Sequence, residues 1–568
     1  MTSESHPHMN RLDQPGTLSP GQRIADIERL HNEIFDVIVV GGGVTGAGAA
    51  LDAAARGLSV ALIEADDFAS GTSSKSSKLI HGGLRYLEML DFGLVREALT
   101  ERRLLLQTIA PHMVEPIRFV WPLNHPVWER AYLTAGLTLY DTMAGKGAVP
   151  RHRQHSKKGL RKLAPGFGPD SHRGGLSFYD AGEDDARMVM MIVRTAREHG
   201  AAVISGARVS SSAPLPDSQR SVQVRLDSGE MITARARHVA YATGPFSDQQ
   251  GLDGITVRPS KGVHIMIPKD RICSEVGVLM RTEKSVLFII PWLDRWLIGD
   301  TDTDWPLDRS TPVASGADID YLLAKANTMI TPPLTREDIV GVFSGLRPLV
   351  QSDPNAATTK LSREHSVVIP EPGVSMIAGG KYTTYRVMAE DLIDAVIAEA
   401  GITASASPTR SLPLLGGANF EAARARRGEL TRHTGLAPEV IDHLLRRHGS
   451  EIDTLIASTR NAPELLTVVE GYEPYIWAEL SYAFSHEGAR SLHDALERRT
   501  RIKIQFRDSG LTIASRVAEL GAKVLGWDAD EMNAQVADYE LTVCAERAAL
   551  ETNSDDDALA AYRAVRAQ

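Results

Sequence analysis

The chain has 568 residues, 43% of them hydrophobic and 24% charged, with a formal net charge of −10. That length corresponds to about three or four domain-sized units, with a core that needs neither disulfide staples nor a structural metal. The acidic balance and an aromatic content of 6% exclude a general nucleic-acid binder, whose affinity comes from Lys and Arg on phosphates, and any anionic substrate needs a local basic pocket working against the overall field.

In chain order, residues 1–30 read as a flexible polar arm with a short helix near Gln22–Leu30. The arm lacks the apolar centre of a secretory signal. No run approaches the ~18–20 apolar residues of a spanning helix. The expectation is a cytoplasmic protein, or one attached to a membrane surface from the cytoplasmic side. Cys273 and Cys544 are too distant for a CxxC or zinc cluster, and no metal site is expected. Asp36–Val40 (DVIVV) reads as a buried parallel strand. An alanine-rich helix follows from Gly46, stopping at Arg56-Gly57, and Leu58–Glu64 is a second strand.

In this β-α-β unit, Gly41-Gly42-Gly43-Val44-Thr45-Gly46 fits G-x-G-x-x-G in the strand-to-helix context that gives the motif its value. The first glycine allows the tight turn, Gly43 lets a pyrophosphate approach the backbone, and Gly46 lets helix and strand pack. The helix N-terminus then favours the anion. Glu64, at the end of the second strand, is placed to accept from a ribose and to repel a 2′-phosphate, which disfavours NADP.

Further along, Val127–Thr142 reads as a partly apolar helix and Met188–His199 as another. Ala202–Arg208 and Val222–Leu226 read as short strands, and His238–Ala242 leads into Thr243-Gly244-Pro245. Lys261–Asp302 alternates as short strands, with Val286–Trp292 and Trp296–Thr301 forming a hairpin. Asp300–Thr303 (DTDT) has no spaced His or Cys and reads as a turn. Gly373–Ala378 is an apolar strand ending at Gly379-Gly380, before a helix over Thr384–Ala400. Residues 402–418 read as a linker, 419–552 as helix-dominated and 553–568 as a polar tail. Two features favour FAD over NAD. Tyr241-Ala242-Thr243-Gly244 ends a late strand that could border the same dinucleotide. Gly379-Gly380-Lys381 precedes a helix whose N-terminus could stabilise charge on a reduced flavin.

Five longer stretches carry a resemblance: Gly71–Glu88 (GTSSKSSKLIHGGLRYLE), Lys261–His264 (KGVH), Phe343–Leu349 (FSGLRPL), Gly379–Arg386 (GGKYTTYR) and His493–Arg501 (HDALERRTR). On these the chain resembles the FAD-dependent glycerol-3-phosphate dehydrogenases, within the glucose/D-amino-acid-oxidase-like flavoproteins. The resemblance runs from about 35 to 400 and continues more weakly through the helical part. It implies an α/β fold with a Rossmann-like FAD-binding domain, an inserted antiparallel-sheet substrate domain and a C-terminal α-helical cap. The corresponding partition is FAD-binding at 31–95, 171–255 and 341–401, and substrate-binding at 96–170 and 256–340. The implied reaction oxidises sn-glycerol 3-phosphate to dihydroxyacetone phosphate, with FAD accepting the hydride and a membrane quinone the electrons. The implied location is the cytoplasmic face of the inner membrane, bound peripherally, and a homodimer is carried as an expectation. An oxidase that passes electrons to O₂ shares the motifs. A flavin-binding module without turnover is the reading from another class.

The substrate needs cations for its phosphate and a base for its hydroxyl. Arg85, Arg347 and Arg363 are the phosphate candidates, because a guanidinium donates bidentately. Lys381 could serve phosphate, hydroxyl or flavin, and Tyr86 could cap the pocket. In Val263-His264-Ile265-Met266-Ile267, strand alternation turns His264 away from the apolar face, so His264 is the favoured base, with His81 its rival and Arg347 or Lys381 assisting. The flavin residues expected are Gly41, Gly43, Thr45, Gly46, Glu64, Thr72, Ser73, Ser77, Lys78, Leu79, Val209, Thr243, Gly244, Gly380, Lys381 and Thr383. Val127–Met143, with Trp128, Tyr132, Leu133, Leu139 and Tyr140, reads either as an interfacial helix or as core packing. Its basic residues are only Arg130 and nearby Lys146.

Overall fold

The computed structural model describes residues 16–568 except 89–90, 126, 146–148, 169–172, 282–285 and 351–363. Two sheets carry the chain. In the first, Val374–Gly379, Met231–Tyr241, Ile34–Val40, Val60–Ile63 and Ala202–Ile204 run parallel, in that order. Both faces of this sheet are covered, as parallel pairing requires. Val37 and Val39 of the central strand face the helices Val44–Ala55, Asp185–Glu198 and Tyr385–Ala400, while Ile38 and Val40 face an antiparallel layer that includes Gln219–Leu226. Each such side chain, fully buried, contributes about 1.5–3 kcal/mol.

Close approach explains the small residues of the first helix. A Cβ at Gly46 would lie 1.8 Å from the Gly41 carbonyl oxygen, and one at Gly48 would lie 3.0 Å from the Tyr385 ring. Gly41 has φ +110°, and a Cβ there would meet the Ala242 oxygen at 2.6 Å. The stretch read as one strand over Ala202–Arg208 is two, because the chain turns at Gly206 (φ +60°) before Ala207–Leu215.

The second sheet is built on one long strand, Val257–Pro268, where short strands were expected. Antiparallel to it run Gly341–Val350 and Arg295–Gly299, in a register that pairs Ser260 with Arg347 and sets His264 between Phe343 and Gly299. Val263, Ile265 and Ile267 join one core cluster and Met266 another, which is the alternation expected of this strand. The hairpin's second strand stops at Gly299, so Asp300–Asp302 leave the sheet at the height of Arg347.

Helices dominate from Phe420 to Ala549. The stretch read as a polar tail contains the helix Asp555–Arg566, capped by the Ser554 hydroxyl accepting from the Asp557 N–H at 3.1 Å. It buries Ala558 and Leu559 against Trp305 and Leu346. It also brings Asp555 to the buried Lys261 ammonium, which donates as well to Asp318 at 2.6 Å and to the Val313 carbonyl at 3.4 Å. Near the N-terminus, Pro20–Asn32 is a helix with Leu30 in the core, so the described part of the expected arm is packed. No helix among the described residues is long and apolar enough to cross a membrane.

Candidate active site

The carboxyl ends of the parallel strands open into a cavity of about 1430 Å³. At one end it is lined by Gly41, Gly43, Thr45 and Glu64, and by Val209, Thr243 and Gly244 from neighbouring strand ends. Gly43 caps the helix Val44–Ala55, so the amide groups of its first turn face the cavity. Gly46 does not line the cavity, in keeping with its packing role. Glu64 accepts from the Gly42 N–H at 2.5 Å and the Asp66 N–H at 2.8 Å. Burial outweighs these bonds and pushes its carboxyl up to about 7. The Ser73 hydroxyl accepts from the Val44 N–H at 2.9 Å, and Thr72 donates to the Leu346 carbonyl at 2.6 Å. Both hydroxyls thus brace the loop that covers the glycine turn.

Thr72, Ser73, Ser77, Leu79, Gly380, Lys381 and Thr383 continue along the lining. Lys78 does not. Its side chain is fully buried behind the wall, where its ammonium donates to Asp185 at 2.8 Å and lies 4.6 Å from the Phe343 ring centre. Burial brings it down to about 8. Its ammonium thus serves a structural pair, which leaves only its backbone for the flavin contact expected of this loop. The sequence gives no sign of the Lys78 backbone turning to φ 56°, which aims the side chain inward.

At the other end, His264 is 2% exposed and stacks on Phe343 with ring centres 4.9 Å apart. Its Nε2 is 2.9 Å from the Ser77 hydroxyl, and its Nδ1 has no hydrogen-bond partner among the described residues. Burial lowers its pKa to about 4, so the ring is neutral at physiological pH. His81, Tyr86 and Lys381 line the same end. The His81 N–H donates to the Thr383 hydroxyl at 3.1 Å, and the Lys381 ammonium sits 3.7 Å from the Tyr86 ring centre. Arg85 lies in the short helix Leu84–Glu88, with its side chain outside the described residues, as is the whole of Arg363.

Arg347 lines the cavity as well. Its guanidinium donates to the Asp300 carboxylate, to the Thr301 carbonyl at 2.9 Å and to the Ser260 hydroxyl at 3.2 Å, with Asp302 at 3.5 Å. One cation is thus held by two carboxylates that also line the cavity. The DTDT stretch is the fixture for this arginine rather than a simple turn. A dianion gains little beside such a set, because the carboxylates cancel the attraction. Lys381 also lines the cavity, beside Tyr86 and His81.

Sequence reasoning also missed the C-terminal contribution. Glu497, Arg498 and Lys503 line the same cavity. Glu497 holds Lys75 of the covering loop and, at 3.0 Å, Lys503. Arg498 and Arg499 converge on Asp67, and Arg501 reaches Asp185 at 3.0 Å and the Ser74 carbonyl at 2.9 Å. The only signal was the arginine run at Arg498, Arg499 and Arg501, whose partners Asp67 and Asp185 lie more than 300 residues earlier, with Asp494 a local partner of Arg498 at 2.6 Å.

A glycine cradle at parallel strand ends, joined to a chamber holding a neutral histidine and a lysine, has the architecture of a dinucleotide-dependent oxidoreductase. Residues 36–386 match the family model described as FAD dependent oxidoreductase, and 407–532 match the C-terminal domain of alpha-glycerophosphate oxidase. A glycerol-3-phosphate dehydrogenase of Mycobacterium leprae is 46% identical over 93% of this chain and 91% of its own. The mitochondrial glycerol-3-phosphate dehydrogenase of Homo sapiens is 36% identical over 91% of this chain and 74% of its own. The structure of the glycerol-3-phosphate dehydrogenase from Bacillus halodurans, complexed with FAD, superposes with a TM-score of 0.74 at 25% identity, covering 91% of this chain and 96% of that one. The chain belongs to the FAD-dependent glycerol-3-phosphate dehydrogenase family, and FAD is its cofactor. The cradle fits that group. A side chain at Gly41 or Gly46 would strike backbone, and Gly43, Val44 and Thr45 leave the helix start open to the cavity.

Proposed function

We propose that the protein oxidises sn-glycerol 3-phosphate to dihydroxyacetone phosphate and passes the electrons to a membrane quinone. The observation that carries the reading is one cavity joining the dinucleotide cradle to His264, Lys381 and Arg347. FAD, when bound, supplies the hydride acceptor. The chain supplies the rest. Lys381 attracts the phosphate, with Tyr86 limiting the pocket. Neutral His264 takes the hydroxyl proton on a ring nitrogen, and Arg347, fixed by Asp300 and Asp302, orients the hydroxyl-bearing end. The burial of His264 excludes water from that proton. Segments 31–95, 171–255 and 341–401 serve FAD, 96–170 and 256–340 serve the substrate, and 419–552 forms the cap. The quinone reading places the protein peripherally on the cytoplasmic face of the inner membrane.

The oxidised flavin spectrum should bleach anaerobically with glycerol 3-phosphate and stay unchanged with glycerol. Bleaching by both would remove the phosphate role of Lys381. A second reading, electron delivery to O₂, is favoured by the C-terminal match to an oxidase domain. Stoichiometric peroxide without quinone reduction would establish it over the first.

Asp300→Asn removes one of the two charges that screen the site. The expected result is a KM for glycerol 3-phosphate lower by about two- to tenfold, as for ~1 kcal/mol of relieved repulsion, together with a lower kcat because Arg347 loses its strongest anchor. Steady-state kinetics test this, and an unchanged KM would mean the phosphate never senses Asp300.

A further inference from the structure

The segment between the strands Val60–Ile63 and Leu79–Ile80 carries the chain from the first sheet to the second, with the short turn Thr72–Ser74 as its regular structure. One face of this loop is stitched to the glycine cradle. The Ala69 N–H donates to the Gly42 carbonyl at 3.0 Å, and the Ser73 hydroxyl accepts from the Val44 N–H at 2.9 Å. Ser70, Gly71, Thr72 and Lys75 line the cavity beside it. A loop with so little secondary structure of its own depends on what packs behind it to stay closed.

Behind it lies the C-terminal domain. The turn Asp494–Arg499 is π-helical, closed by the Thr500 N–H donating to the Ala495 carbonyl at 2.9 Å, five residues back. Turns of this kind recur at functional sites, and here three consecutive side chains reach the loop. Glu497 takes the Lys75 ammonium, Arg498 donates to Asp67 at 2.5 Å, and Arg499 donates to both oxygens of Asp67 at 2.6 and 2.7 Å. Asp67, Glu497, Arg498 and Arg499 are all buried, so these charge-assisted bonds are little screened by salt or water. Among the described residues the Asp67 carboxylate bonds to these two arginines and to nothing else. Its partners lie over 400 residues away in sequence, so the tie is one between domains.

We propose that Asp67 and Glu497 are positioning residues for FAD: by tying the covering loop to the C-terminal domain they keep it on the glycine cradle, which makes cofactor retention a task of that domain. Lifting the loop breaks bonds at both of its faces. Weakening the rear set raises the share of time the cradle is uncovered, and FAD leaves through that open state.

Release of FAD from the holoenzyme after dilution into FAD-free buffer, followed by flavin fluorescence, tests the proposal. Asp67→Asn and, separately, Glu497→Gln keep the side-chain shape and remove the charge. Each should speed release at least about tenfold, the factor for one hydrogen bond to a charged group. Neither change leaves its arginine or lysine partners in the C-terminal domain stranded. Arg498 keeps Asp494 at 2.6 Å, Arg499 keeps the Glu487 carbonyl at 2.8 Å, and Lys503 keeps Glu546 at 2.8 Å. Melting separates cofactor retention from plain architecture. Both variants should melt below the wild type without added FAD, and excess FAD should recover most of the difference by mass action. Release at the wild-type rate from either folded variant would overturn the proposal. So would a melting temperature lowered equally with and without excess FAD, since the ties would then serve the fold alone. Should one variant fail to fold, the release rate of the other decides.

Discussion

His264→Ala should lower kcat about 10²–10⁴-fold, the range for loss of a positioned general base, while bound FAD is retained. The ring contacts Ser77 and Phe343 rather than the glycines of the cradle, so its removal leaves the glycine turn intact. Its stack on Phe343 is lost with it, and a modest rise in KM is expected. The pH profile adds a sharper signature. With its pKa depressed to about 4 by burial, the imidazole is already in its basic form throughout the neutral range. The acid limb it imposes on kcat/KM therefore lies near pH 4 rather than near the ordinary value of about 6.5. The alanine variant should lose that limb, and added imidazole should restore part of the rate. An alanine variant with wild-type kcat would transfer the base role to His81.

Asp185→Ala should destabilise the protein by about 3–5 kcal/mol, because it strands two buried cations. Lys78 and Arg501 are both buried and both donate to Asp185 Oδ1, at 2.8 and 3.0 Å, while the Ser76 N–H and hydroxyl donate to Oδ2 at 2.9 and 2.7 Å. The loss also reaches the site, since Ser76 precedes Ser77, the partner of His264. Thermal melting of the holoenzyme should show a fall of several degrees. Lys78→Met in the same background should recover part of it, because an apolar chain of similar length needs no counter-charge. A variant melting at the wild-type temperature would mean that water compensates both cations.

The pH dependence of stability separates this pair from the histidines. Burial raises the Asp185 carboxyl, but Lys78 and Arg501 more than offset this and hold it below its usual value. Its contribution is present above the unfolded-state value of about 3.9 and is lost only as pH falls through the lower folded one. His264 and His448, both lowered to about 4 by burial, act earlier. The unfolded chain binds their protons from about pH 6.5 downward, so stability declines between there and about pH 4. Mild acid should therefore weaken the fold through these imidazoles before the Asp185 pair titrates.

The nucleotide half of the site was legible because its determinants are local. A β-branched run, three glycines and an alanine-rich helix specify one β-α-β unit within thirty or so residues, a span over which sterics leave little choice. The alternation around His264 was legible for the same reason. Arg347 was placed correctly in the cavity, but its carboxylate fixture was not foreseen, because Ser260, Asp300 and Arg347 meet only through sheet register. The burial of the Lys78 side chain was not legible, because its partners Asp185 and Phe343 lie more than 100 residues away.

The Lys261–Asp555 contact sets a timetable for synthesis. Lys261 lies on the strand that carries His264, and Asp555 follows it by 294 residues. At about 5–20 residues per second, the emerging strand waits on the order of 15–60 s for that partner, with Asp318 as its only earlier counter-ion of the two. During this interval the strand that carries His264 is attached to an incomplete neighbourhood. Factors that bind exposed strands have their longest opportunity then, and the nucleotide cradle, assembled from nearer segments, can form well before the reactive chamber closes.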